Sequence, residues 1–162
     1  MSVSYHATRS NAVLYAVAAF SLIAALIHIW VMPEHFEEWW GYGTFFLVCA
    51  FLQVLYVPVL LRWPTRKVLF SGVVGNCAIV LMYVLTRTVG IPLFGPHAGE
   101  VEGVGLVDLC ATSSEVGIAA TLGVLLLRNL STERRIQVVV VLGATALLVG
   151  HLLHLLARSA SH

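Results

Sequence analysis

The sequence predicts an all-α fold, an integral membrane bundle that crosses the bilayer five times. Three observations carry this. The 162 residues are 59% hydrophobic and only 10% charged, against about a quarter charged in soluble domains. Five apolar stretches, at 12–32, 41–61, 68–89, 106–127 and 136–157, each reach the roughly 20 residues needed to cross about 30 Å of hydrocarbon. The connections between them alternate in charge, as they do in multi-pass proteins. A chain of this length makes one domain, so residues 1–162 are read as a single transmembrane unit. The alternative is four spanning helices with a fifth lying peripherally.

The first stretch competes with a signal peptide. Signal cores are shorter, about 7–15 residues, and end at small residues, whereas this one ends in Trp30, Val31 and Met32. It is therefore read as a retained helix. Pro33 follows, and the helix either runs through it or restarts as a short interfacial helix, since proline suits a first helical turn. The second stretch carries Pro58, which predicts a kink near one end. Between the third and fourth stretches, residues 90–105 form the longest connection. Gly95, Gly99, Gly103 and Gly105 with Pro92 and Pro96 predict turns there rather than helix. The other connections are short, which predicts that successive spans are antiparallel neighbours.

Orientation follows from arginine and lysine. Arg9 precedes the first span; Arg62, Arg66 and Lys67 flank the second connection; Arg128, Arg134 and Arg135 fall in the fourth. The first connection holds Glu34, Glu37 and Glu38, and the third Glu100 and Glu102, with Arg87 just before it. Basic residues collect on the cytoplasmic side, so the N-terminus is expected in the cytoplasm and the C-terminus outside, Arg158 being a mild dissent. Trp30, Trp39, Trp40 and Tyr42 surround the first outer connection, where amphipathic rings gather. Asn129-Leu130-Ser131 fits a glycosylation sequon, discounted because this topology places it inside.

A net charge of +1 without a basic cluster excludes a nucleic-acid partner. The expected partners are lipid and, given the apolar faces, subunits of a membrane complex or further copies of the chain. Cys49, Cys77 and Cys110 fall inside apolar runs without C-x-x-C spacing, so no disulfide framework is expected and all three read as small buried hydrophobes. No phosphate loop, nucleotide signature or nucleophile–base arrangement is present, so no enzyme activity is indicated.

Polar groups at membrane depth are costly and mark function or structural pairing. His28 and His35 are seven residues apart, which returns to nearly the same helix face, and Glu38 follows three later. Asp108 and Glu115 repeat the seven-residue spacing, and His151 and His154 share a face of the fifth span. Gln53, Asn76 and Arg87 complete a polar network. Its plain reading is structural: Arg87 paired with Asp108 or Glu115, and Gln53 and Asn76 in interhelical hydrogen bonds. Most of these groups belong to the outer half, while the inner half is nearly pure hydrocarbon.

Histidines converging with carboxylates on one side predict a bound transition metal (copper, iron or zinc) or haem b. The expected ligands are His28, His35, His151 and His154, with Glu38 and Asp108 as further metal ligands or as partners that orient the imidazoles. The competing expectations are a proton or small-solute pathway through Glu115 and an accessory role in a larger complex.

The segments HIWVMPEHFEEWWGYG, at 28–43, and TRTVGIPLFGPHAGEVEGVGLVD, at 86–108, resemble a group of small, functionally uncharacterised bacterial multi-pass membrane proteins. That group shares a His…Pro-Glu-His-Phe-x-Glu-Trp motif and an Arg-Thr-x-Gly-x-Pro…Gly-x-Asp motif. The resemblance covers about the first four spans. It implies a bacterial inner-membrane location and a fold, not an activity, and it singles out His28, His35, Glu38, Arg87, Asp108 and Glu115.

Overall fold

The structure, a computed structural model, describes residues 2–91 and 95–128. These form four helices and no strand: α1 (Ser2–Glu38), α2 (Trp40–Arg62), α3 (Arg66–Thr88) and α4 (Leu106–Arg128). All four are long and apolar enough to cross a membrane. The expected second, third and fourth spans match α2, α3 and α4 to within two residues at each end. The expected fifth span, with His151 and His154, lies outside the described residues.

Helix α1 runs on through Pro33 to Glu38. Proline gives up its own N–H there, but the helix resumes, so His28 and His35 belong to one continuous element. Trp39, in extended backbone, separates α1 from α2. At the other end of the bundle the Thr65 hydroxyl accepts the Val68 N–H and caps α3, the usual service of a β-region hydroxyl residue at a helix start.

Packing explains why polar residues lie where they do. Buried positions on α1 recur at Leu14, Val17, Ala18, Ser21, Ala24, Ala25 and His28, the spacing of a single helix face. Small residues on this stripe let neighbouring backbones approach closely, which is what holds helices together when lipid is as apolar as the side chains. On α4 the matching stripe is Ala111, Ser114, Glu115, Ile118 and Leu122. His28 and Glu115 thus continue the best-packed faces of their helices, facing away from the hydrocarbon.

Helix α1 packs against α2 and α4, and α3 against α4, whereas α2 and α3 touch little. This departs from the expectation that every successive pair are close neighbours. The two are joined at Trp63–Thr65, and the Tyr56 hydroxyl donates to the Val68 carbonyl at 3.1 Å. Toward their other ends a cavity lies between them. The apolar core, Leu14, Val17, Leu60, Leu69, Ile118 and Leu122, fills the half of the bundle that ends in Arg62, Arg66, Lys67 and Arg128. Of the cysteines only Cys49 is buried; Cys77 and Cys110 are exposed on the helix surface, a correction to the expectation for all three.

Candidate functional site

The antiparallel order brings the C-terminal parts of α1 and α3 and the N-terminal parts of α2 and α4 to one end of the bundle. A cavity of about 220 Å3 opens among them. Its deepest layer is set by helix register. His28 stands ten residues before the end of α1 and Glu115 nine after the start of α4, about 13–15 Å below those ends at about 1.5 Å per residue. There His28 Nε2 meets Glu115 Oε1 at 2.9 Å, with the two side chains 4% and 1% exposed. His28 Nδ1 is buried and has no hydrogen-bond partner among the described residues.

The walls are apolar and aromatic. Phe46 contacts both histidines, its ring centroid 5.6 Å from that of His28 and stacked at 4.3 Å on His35. Trp39, Tyr42, Phe45 and Tyr83 line other parts of the wall. Nearer the rim Arg87 bonds Asp108 at 2.6 Å and also Glu102, while its guanidinium carbon lies 5.0 Å from the Tyr83 ring centre, within cation–π range. Asp108 also accepts the Gly105 N–H at 3.3 Å and so helps to start α4.

Loop geometry delivers Glu102 to Arg87. Gly90 ends α3 at φ +74°, a left-handed conformation that glycine adopts without penalty, and a side chain there would strike the Glu100 carbonyl. The Glu102 N–H donates to the Thr86 carbonyl at 3.1 Å. Above the mouth a second recess is lined by His35, Glu38, Tyr42, His97, Glu100 and Glu102. His35 pairs with Glu38 and His97 with Glu100, both at 3.1 Å and both exposed.

The expected residues are therefore distributed unevenly. His28, His35, Arg87, Asp108 and Glu115 line one cavity; Glu38 stands at its entrance. Of the two acids considered for Arg87, Asp108 is its partner, and Glu115 goes to His28 instead. Gln53 and Asn76 are buried, but neither side chain makes an interhelical hydrogen bond among the described residues. Asn76 donates to Gly72 of its own helix, and the α1–α2 bond runs from the Ser21 hydroxyl to the Gln53 backbone carbonyl at 3.0 Å. Among the described residues no three histidine, cysteine or acidic side chains are grouped to hold a metal ion. Sequence reasoning passed over Glu102, for which a cation at a helix end needing partners was the available signal, and the aromatic wall, which the phase of α2 alone does not reveal.

Fold and site together define an all-helical bundle, its four described helices each long and apolar enough to cross a membrane, with a polar pair buried beneath an aromatic-walled cavity. No family model, curated protein or solved structure matches the chain.

Proposed function

We propose that this chain is a bacterial inner-membrane protein whose cavity admits a small ligand from outside to a proton-exchanging His28–Glu115 pair. The observation that carries this is the buried 2.9 Å contact at the deep end of the cavity. Histidine is the side chain that ordinarily changes charge near neutral pH, and an isolated charge in the bundle interior is costly. A ligand that reaches Glu115 must therefore replace the charge or the hydrogen bond that His28 supplies. Positive-inside placement of Arg62, Arg66, Lys67 and Arg128 turns the cavity outward, with the N-terminus in the cytoplasm, a fifth span at 136–157 and the C-terminus outside. Beyond the buried Gln53 and Asn76, the packing of the described residues toward the basic helix ends is aliphatic, which favours a one-sided binding site over a through-path.

Infrared difference spectra between acidic and alkaline samples in mild detergent test the reading. A carboxyl band present in the wild type and missing in Glu115→Gln assigns the proton to the pair. Identical spectra from the two proteins sink it. An absorption spectrum and elemental analysis of the same sample address the metal expectation. A Soret band, or about one equivalent of copper, iron or zinc, would put a haem or metal in place of the exchanging proton. A cavity of about 220 Å3, below the ~300–1,000 Å3 of ordinary cofactor and drug sites, favours a ligand smaller than a porphyrin.

A further inference from the structure

The charges around the cavity are unbalanced. Among the described residues three carboxylates, Glu102, Asp108 and Glu115, line it against a single guanidinium, Arg87. Arg87 is committed to Glu102 and Asp108 at the rim. Glu115, 1% exposed, has only the His28 imidazole among the described residues, so once the pair has released its proton the deep end carries an uncompensated negative charge. An anion is therefore rejected. A bare metal cation demands several oxygen or nitrogen ligands in close array, and among the described residues no three histidine, cysteine or acidic side chains are so grouped.

Ring faces suit one kind of cation. The negative face of an aromatic ring attracts a weakly hydrated cation within about 6 Å, and this cavity already shows the interaction, in Arg87 over Tyr83 at 5.0 Å. Phe45, Phe46, Trp39 and Tyr42 also line the cavity that leads to Glu115. The entrance adds to the selection: Glu38, Glu100 and Glu102 line the outer recess with two imidazoles, and among the described residues no lysine or arginine lines it. A field of one sign over a recess concentrates ligands of the opposite sign.

We infer that the ligand is a small organic cation, an alkylammonium compound, seated between aromatic faces with the Glu115 carboxylate as its counter-charge. This rests on the cavity being a ligand site, as proposed above, and names what enters it. The cavity's size limits the cation to a compact head such as a trimethylammonium group.

The test compares choline with 3,3-dimethylbutan-1-ol, its uncharged carbon isostere, titrated into the full chain in mild detergent with tryptophan fluorescence as readout, Trp39 lining the cavity. Choline is expected to bind at least tenfold more tightly than the isostere. Phe46→Leu, which keeps an apolar wall, should weaken choline about threefold to tenfold, the measure of one cation–π contact, and leave the isostere unchanged. Glu115→Gln should remove the preference for charge. Equal binding of both probes would overturn the inference while leaving a ligand site in place. Binding of neither, or preference for benzoate in a parallel titration, would overturn it too, and the infrared measurement then decides separately whether the exchanging pair stands.

Discussion

The two halves of this bundle are built from the same four helices and hold together by different physics. In the half that ends in the basic residues, Leu60, Ile118 and Leu122 are wholly buried and the core is aliphatic. In the other half, His28 and Glu115 occupy the equivalent stripe positions, aromatic rings form the walls, and α2 stands away from α3. Helix α1 shows the change along a single face, from Leu14 and Val17 through Ala24 and Ala25 to His28. The comparison teaches that one half anchors the helices and the other spends packing on a cavity. Substitutions in the two halves should therefore fail for different reasons.

The largest effect is expected at the buried pair. His28→Ala leaves Glu115 without its partner inside the bundle, a change that costs on the order of 3–5 kcal/mol. Replacing both residues by leucine leaves no charge behind and should recover most of that loss, while abolishing any proton exchange. Chemical denaturation in mixed micelles, followed by circular dichroism, reads both variants. A double variant no more stable than the single one would mean that the attraction between the partners, rather than the cost of an orphaned charge, dominates this half.

Leu122→Ala tests the other half. In water such a change loses ~2–5 kcal/mol, partly transfer of side-chain atoms and partly the cavity left behind. Lipid is as apolar as leucine, so only the cavity part applies here, and the loss should lie toward the low end of that range. The site should not notice: the wild-type infrared signature of the His28–Glu115 pair should persist in Leu122→Ala. A change in that signature would show that the halves are not separable and that packing near Leu122 sets the geometry of the pair.

Much of this division was legible in the sequence. The asymmetry between a polar half and a hydrocarbon half came from where His28, Arg87 and Asp108 fall along their spans, with Glu115 deeper, because helix rise converts position into depth. The bounds of three helices followed from the lengths of the apolar runs. The pairing did not follow. Arg87 could reach Asp108 or Glu115 by spacing alone, and only the rotation of α1 against α4 sends Glu115 to His28. The cavity was equally hidden, since it arises from the separation of α2 and α3 above their short connection, and connection length limits that separation at one end only. Glu102 sits in a glycine-rich segment whose course depends on turn geometry, so its return to Arg87 could not be read from periodicity.

That return gives the smallest and most local way to sharpen the comparison. Gly90→Ala places a side chain at φ +74°, which costs an L-residue roughly 1–2 kcal/mol, and directs it at the Glu100 carbonyl. The connection should move outward, carrying Glu102 away from Arg87, while Asp108, on α4, keeps its bond. Hydrogen exchange at the Glu102 amide, which donates to Thr86 in the wild type, should speed up, with protection around Ile118 and Leu122 unchanged. If protection falls in both places, the turn at Gly90 braces the whole bundle. If it falls only at the connection, the stretch around Glu102 opens independently of the helices beneath it, as the proposed ligand site needs for its ligand to come and go.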